Sequence, residues 1–278
     1  MRNYYTRACN FYYGLTAQNL IKKKLAFPLC GNKNLAFDHI EILSRKNKNR
    51  IIHIKKITLL GKTLKKIIQE DIEKIIDKRQ KLNKYLKFSE PLIMGILNLT
   101  PDSFSDGGLF NQSHKAFSHI QNMISKGANI IDVGGESTRP GSKDIPSNVE
   151  WKRLEKVVVN FKKRYPKIFL SVDTRKSKVM LKAIKNKSDL INDVSGFNYD
   201  VNAVEKIKNF NVWKVLHHMQ GTPNTMQTNP KYKDVLLDIY DFFEKKIKTD
   251  LKKFKHKKFI IDPGIGFGKN LKHNLILM

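Results

Sequence analysis

Residues 94–108 read MGILNLTPDSFSDGG, an apolar run that passes directly into a loop of hydroxyl, amide and carboxylate side chains. An apolar run without alternation is typical of a parallel strand that is covered on both faces. Five more such runs follow, and helical stretches beginning near Ser113, Asn148, Lys176, Val201 and Val235 separate them. The predicted strands are 92–97, 129–133, 168–172, 189–191, 212–216 and 259–261. The chain is therefore predicted to be an α/β protein.

Such a repeat either closes into an eight-stranded barrel or forms an open, doubly wound sheet. Polar side chains follow several different strands at their carboxyl ends, which favours the barrel, because its chemistry collects on one rim. A doubly wound sheet would concentrate these residues at one crevice. About six of the eight β/α units can be counted. The predicted fold is an incomplete (β/α)8 TIM barrel over residues 91–278.

Residues 1–90 are predicted to form a separate, basic and helical N-terminal extension, because composition shifts near residue 90. Apolar residues such as Leu64, Ile68 and Ile72 recur at three- and four-residue steps, and residues 62–88 contain no Gly or Pro. This spacing predicts an amphipathic helix over 62–88. Its apolar stripe is expected to pack on the following domain or on a second chain.

Composition excludes several classes of protein. The chain has 53 Lys and Arg against 25 Asp and Glu, a net charge of +28, yet only nine of the basic residues are Arg. Since no nucleic-acid-binding module is recognisable, we expect no specific nucleic-acid partner. The two cysteines have no disulfide-scaffold or zinc spacing, and no apolar run reaches the length of a membrane span. A cytoplasmic protein without a membrane partner is predicted.

The loops after the strands carry the candidate chemistry. Asn98 opens a loop of hard oxygen ligands, which suit Mg²⁺ held partly by a substrate phosphate. Thr138 and Arg139 offer a hydroxyl and a cationic fork for a carboxylate or phosphate. An Asp at a strand end is most often a helix cap. Acids or amides that follow several strands can instead accept N–H donors from one flat ring, such as a pterin or guanine.

Three strand ends carry such residues: Asp173, Asn192 and Asp262. After the fifth strand, the adjacent His217 and His218 are interpreted as a pocket wall, because metal-ligand spacing is absent. Met219 is expected to pack on a ring face.

Six loops, in this order and spacing, resemble those of dihydropteroate synthases. They are ILNLTPDSFSDGG, GGESTRPGS, SVDTRKS, INDVSG, HMQGTPNTMQ and DPGIGFGKN. The resemblance covers about residues 90–278. It implies a Mg²⁺-assisted transferase of folate synthesis that joins 4-aminobenzoate to (7,8-dihydropterin-6-yl)methyl diphosphate, giving 7,8-dihydropteroate and pyrophosphate.

The resemblance also implies roles for single residues. Asn98 would be the protein ligand of Mg²⁺, and Thr138 and Arg139 would belong to a catalytic loop over the pyrophosphate and aminobenzoate. Asp173 would stabilise positive charge at the methylene. Together with Asn192 and Asp262 it would also bind the pterin edge, and Met219 and Phe267 would line the pocket.

The chain departs from the family pattern at its end, since the seventh and eighth strands are expected to be missing. With them would go a Lys that contacts the substrates and an Arg-x-His that binds pyrophosphate. An alternative reading is therefore an inactive or split-gene fragment that binds pterin but needs those strands for catalysis. A homodimer and a complementing C-terminal chain are both open as assemblies.

Overall fold

The computed structural model describes residues 2–86, 91–100, 109–137, 142–222, 225–249 and 251–278, with only the backbone of 109–112. It divides into two compact units, Met1–Glu90 and Pro91–Met278. Among the described residues, no helix combines the length and the apolar character needed to cross a lipid bilayer.

The N-terminal unit is built on an antiparallel sheet of four strands, ordered β1-β3-β2, with β4 also paired to β3. Its elements are β1 (Tyr4–Tyr13), α1 (Gly14–Lys22), β2 (Phe27–Leu29), β3 (Asn32–Ser44), β4 (Arg50–His53), a 3-10 helix (Ile54–Leu59) and α2 (Lys62–Ile76). The apolar stripe of α2 packs through Ile68 and Ile72 onto Phe37, Ile40 and Ile42 of β3 and its neighbours. Burial of these side chains stabilises the unit by about 1.5–3 kcal/mol for each fully buried residue.

Three expectations for this unit are wrong. The apolar stripe of α2, expected to pack on the following domain or on a second chain, packs on this unit's own sheet. The extension is a sheet with two helices rather than a helical segment, and α2 ends at Ile76 instead of residue 88. The helix stops because the five residues after Ile76 are all polar, so they offer nothing for a continued stripe to bury. Arg79 also donates from Nη1 to the carbonyl oxygens of Lys74 and Asp77, at 2.9 and 3.0 Å, which satisfies the helix end.

The second unit is a run of parallel strands, each followed by a helix. Its elements are β5 (Met94–Asn98), α3 (Leu109–Ser125), β6 (Ile130–Gly134), α4 (Ser147–Arg164), β7 (Phe169–Asp173), α5 (Ser177–Lys185), β8 (Leu190–Asp193), α6 (Ala203–Ile207), β9 (Trp213–His217), α7 (Val235–Thr249), a 3-10 helix (Leu251–Lys253), β10 (Phe259–Asp262) and α8 (Leu271–Leu277). All six predicted strands are present, with bounds within two residues of the prediction.

The strand order distinguishes a barrel from a doubly wound sheet. The six strands pair as β10-β9-β8-β7-β6-β5, so spatial order follows chain order without a reversal. A doubly wound sheet reverses direction at a switch point, whereas a barrel does not. The predicted partial (β/α)8 barrel is confirmed, and its carboxyl ends meet along one rim.

Candidate active site

The functional candidates lie in one row across the ends of four neighbouring strands. Asn98 pairs with Gly134, Gly134 with Asp173, and Asp173 with Asn192. Gly134 leaves room in this row, since a Cβ there would lie 3.5 Å from both Asn98 Oδ1 and Asp173 Oδ2. The amide oxygen and the carboxylate therefore flank the same small space. On the next two strands, His217 pairs with Asp262.

A buried carboxyl lies beneath the row. Asp132 of β6 is 4% exposed and accepts a hydrogen bond from Asn192 Nδ2 at 3.0 Å. Burial raises the pKa of Asp132. Asn192 is thus held by a partner that the sequence reasoning did not pick out. The available signal was an Asp in the middle of an otherwise apolar strand.

The environment of Asp173 disfavours its ionised form. Burial, and next the negative charge of Asp132, raise the pKa of Asp173 well above its ordinary value. A protonated carboxyl can donate a hydrogen bond as well as accept one. Asp173 can therefore meet an acceptor atom of a ring.

Asp262, at the end of β10, is ionised instead. Burial acts to raise its pKa, but the hydrogen bonds from His217 and the Gly264 amide, together with the charge of Lys269, outweigh it and lower the pKa. The Gly264 amide donates to Asp262 Oδ1 at 2.8 Å. Gly264 must be glycine here, because φ is +69° and a Cβ would lie 2.1 Å from the His218 carbonyl oxygen.

A buried lysine ties the loop after β10 to the end of β9. Lys269 is 3% exposed, and its Nζ donates to the Phe267 carbonyl at 2.8 Å and contacts His218 Nδ1 at 3.1 Å. Burial lowers the pKa of Lys269 to about 8. Burial and the charge of Lys269 lower the pKa of His218 to about 4, so this histidine is neutral at pH 7.

An ionic network fixes the ends of the loops beside β6 and β7. Arg175 donates to Glu136 Oε2 and to Asp144 Oδ1, both at 2.8 Å, and Lys176 bridges Glu136 and Glu150 at 2.7 Å each. Hydrogen bonds from Lys176 and Arg175 lower the pKa of Glu136 although burial opposes them. These cations are already paired with carboxylates.

The structure brings together Asn98, Asp173 and Asn192 in one row and pairs Asp262 with His217. Phe267 is half-buried, with its ring edge-on to His217 at 4.8 Å, and Met219 is half-buried just past β9. Thr138 and Arg139 lie outside the described residues. In the described part of the chain, no group of three His, Cys, Asp or Glu side chains could hold a metal ion.

Residues 94–278 match a family of proteins described as pterin binding enzymes. The dihydropteroate synthase of Escherichia coli strain K12 is 42% identical over 194 residues, which cover 69% of this chain and 68% of the relative. A Yersinia pestis dihydropteroate synthase, solved as a sulfonamide drug complex, superposes with a TM-score of 0.63 at 42% identity, covering 69% of this chain and 70% of the other. The Xanthomonas albilineans dihydropteroate synthase, solved with 4-aminobenzoic acid, superposes with a TM-score of 0.61 at 35% identity, covering 69% of this chain and 68% of the other.

Proposed function

The chain belongs to the pterin binding enzymes and, within them, to the dihydropteroate synthases of folate synthesis, and we propose that it joins 4-aminobenzoate to (7,8-dihydropterin-6-yl)methyl diphosphate. The products would be 7,8-dihydropteroate and pyrophosphate. One observation carries this proposal: Asp173, Asn192 and Asp262 lie at the carboxyl ends of β7, β8 and β10, parallel strands of one sheet whose ends form a single rim. The similar synthase solved with 4-aminobenzoic acid supports the second substrate.

The donor and acceptor pattern of the rim suits a pterin. Ionised Asp262 can accept N–H groups from the aminopyrimidine edge, and Asn192 can donate and accept. The raised pKa of Asp173 favours a protonated carboxyl, which can donate to a ring acceptor. These partly buried groups keep hydrogen-bonding capacity that their protein partners do not use, so a ring that satisfies all three is selected over one that satisfies fewer.

The described residues fit Mg²⁺ that is shared with the substrate. Asn98 Oδ1 and Asp173 Oδ2 flank the same space beside Gly134, but no set of three metal-ligating side chains exists among the described residues. Mg²⁺ usually binds one or two protein oxygens plus substrate phosphates. Asn98 would therefore hold the metal from the protein side. Bound Mg²⁺ would withdraw charge from the departing pyrophosphate.

The chain's own residues orient the substrates and stabilise the charge that develops in the proposed reaction. Asp262 and Asn192 orient the pterin, so that its methylene points toward the space where the amine of 4-aminobenzoate arrives. Asp173, at the centre of the row, lies where positive charge on the ring system can be stabilised by a carboxyl group. From the resemblance of the GGESTRPGS segment, we propose that Thr138 and Arg139 bind the diphosphate and the aminobenzoate carboxylate.

The test is an assay of dihydropteroate formation, combined with calorimetry of the pterin diphosphate and of free pyrophosphate. Asp262→Asn should weaken binding of the pterin diphosphate by about 1–3 kcal/mol, because an amide offers one acceptor oxygen where a carboxylate offers two. Free pyrophosphate should bind as before. Asp77→Asn, an exposed change in the N-terminal unit, is the matched control. Equal weakening of both ligands by Asp262→Asn would mean that Asp262 is structural, and absence of pterin binding by the unmodified chain would refute the function.

A further inference from the structure

The two ring nitrogens of His217 are in different environments. His217 ends β9 and is 3% exposed. Its Nδ1 lies 3.0 Å from Asp262 Oδ2, whereas its Nε2 is buried and has no hydrogen-bond partner among the residues that the structure describes. A buried histidine with only one satisfied nitrogen is uncommon, because an unpaired polar atom loses its hydration without compensation.

The contact with Asp262 fixes which nitrogen carries the proton. An ionised carboxylate is an acceptor only, so Nδ1–H must donate to Oδ2. The ring plane is held as well, because Phe267 meets it edge-on at an interplanar angle of 84°. His217 is therefore a fixed donor aimed at a fixed carboxylate oxygen.

Asp262 gains its orientation from this donor. Its Oδ1 accepts from the Gly264 amide and its Oδ2 accepts from His217, so both oxygens are held from the protein side. The side chain nevertheless remains 46% exposed. The remaining lone pairs of a carboxylate held in this way form a planar acceptor pair, which matches two N–H groups in the plane of a heterocycle.

The neighbouring histidine cannot substitute. His218 contacts Lys269 through Nδ1 and packs edge-on to Phe242, with ring centroids 4.8 Å apart. Consecutive residues of a strand point to opposite faces, which explains the separation of the two rings.

We propose that His217 is a positioning residue for the pterin: it holds the Asp262 carboxylate in the plane of the aminopyrimidine edge and so sets affinity and selectivity for that ring. This inference rests on the proposed function and extends it to a side chain that need not touch the reacting atoms. Because Asp262 is assigned to the pterin edge, we expect the effect of His217 to be confined to the pterin.

The experiment compares His217→Leu with His217→Asn, whose side-chain amide retains a donor near the Nδ1 position. His256→Leu, three residues before β10 begins, is the matched control. Calorimetry with the pterin diphosphate and with inorganic pyrophosphate should show about tenfold or greater weakening of the pterin diphosphate in His217→Leu, with pyrophosphate unchanged. His217→Asn should recover most of the loss. In steady-state assays, the KM for the pterin should rise while the KM for 4-aminobenzoate stays constant.

A second measurement uses the unmodified protein, which keeps the test valid if His217→Leu does not fold. With ¹⁵N-labelled histidine, the NMR spectrum should show His217 as the Nδ1–H tautomer, and this N–H signal should shift on pterin binding. The inference is overturned by the Nε2–H tautomer, by an unchanged signal, or by wild-type pterin affinity in His217→Leu. It is also overturned if His217→Asn and His217→Leu weaken both ligands alike. If the unmodified chain binds no pterin, the proposed function fails first.

Discussion

Replacing Lys214 by Met should stabilise the protein at pH 7. Lys214 is fully buried on β9, where its Nζ donates to the His256 carbonyl at 2.9 Å and lies 4.6 Å from the centre of the Phe254 ring. Burial, and then the charges of Lys258 and Lys257, lower the pKa of Lys214 from 10.5 to about 8. The folded state therefore binds the proton less tightly than the unfolded chain does.

The sign and size of the effect follow from this difference. Between pH 8 and 10.5 the unfolded chain holds more protons at this site, so the free energy of unfolding rises with pH. A shift of about 2.5 pKa units corresponds to a penalty of about 3 kcal/mol at pH 7, which falls to about 1.5 kcal/mol at pH 9.5. Met has a similar length and no charge, but it loses the hydrogen bond and the cation–π contacts, together about 1–2 kcal/mol. The net gain at pH 7 should be about 1–2 kcal/mol.

Urea denaturation at pH 7 and pH 9.5 measures both the stabilisation by Lys214→Met and its dependence on pH. The advantage of Lys214→Met over the wild type should shrink by about 2 kcal/mol between the two pH values, and this difference does not depend on the lost contacts. Lys252→Met, which changes an exposed lysine, should show no such pH dependence. Parallel stability curves for wild type and Lys214→Met would refute the buried-charge argument.

Three further outcomes are expected. Asn98→Ala should remove the Mg²⁺ dependence of pterin diphosphate binding, and equal binding by the wild type in Mg²⁺ and in EDTA would contradict the assignment. Glu136→Leu should cost about 3–5 kcal/mol in urea denaturation, because it leaves Arg175 and Lys176 short of a buried partner, whereas a loss below about 1 kcal/mol would show that the network is dispensable. Ile96 and Ile261 are 63% and 51% exposed on the edge strands β5 and β10, and a cavity of about 690 Å³ borders β5. Two added β/α units would cover these apolar surfaces. The free energy of unfolding of such an extended chain should therefore depend more steeply on urea concentration than that of a chain with a Lys-rich extension of equal charge.

The barrel could be predicted from the sequence because its information is local. Each strand is one apolar run, and each helix begins at a polar loop, so neither assignment needs knowledge of distant residues. The N-terminal sheet was missed for the opposite reason. Tyr4–Tyr13 mixes aromatic and polar residues, and its strand character depends on pairing with Asn32–Ser44, more than twenty residues away.

The candidate site was also predicted only in part, for the same reason. The row formed by Asn98, Asp173 and Asn192 follows from parallel register, because equivalent strand ends must be neighbours. The pairing of His217 with Asp262 depends on which histidine of an adjacent pair faces the neighbouring carboxylate, and a motif does not contain that information. Asp132 was overlooked because its role is exercised through Asn192.

The charges at the rim explain why the proposed reaction needs a metal ion. The half of the row near β6 and β7 holds Asp132 and Asp173, while the nearby Arg175 and Lys176 are already neutralised by carboxylates. Lys269 is buried and bonded to backbone carbonyl oxygens on the other side. Within the described residues, this rim can bind the ring of a pterin but offers little unpaired positive charge to its diphosphate. In the proposed reaction, a divalent cation carried by the substrate and held by Asn98 would supply that charge. Burial raises the pKa of Asp173, which reduces the repulsion between this carboxyl and the diphosphate.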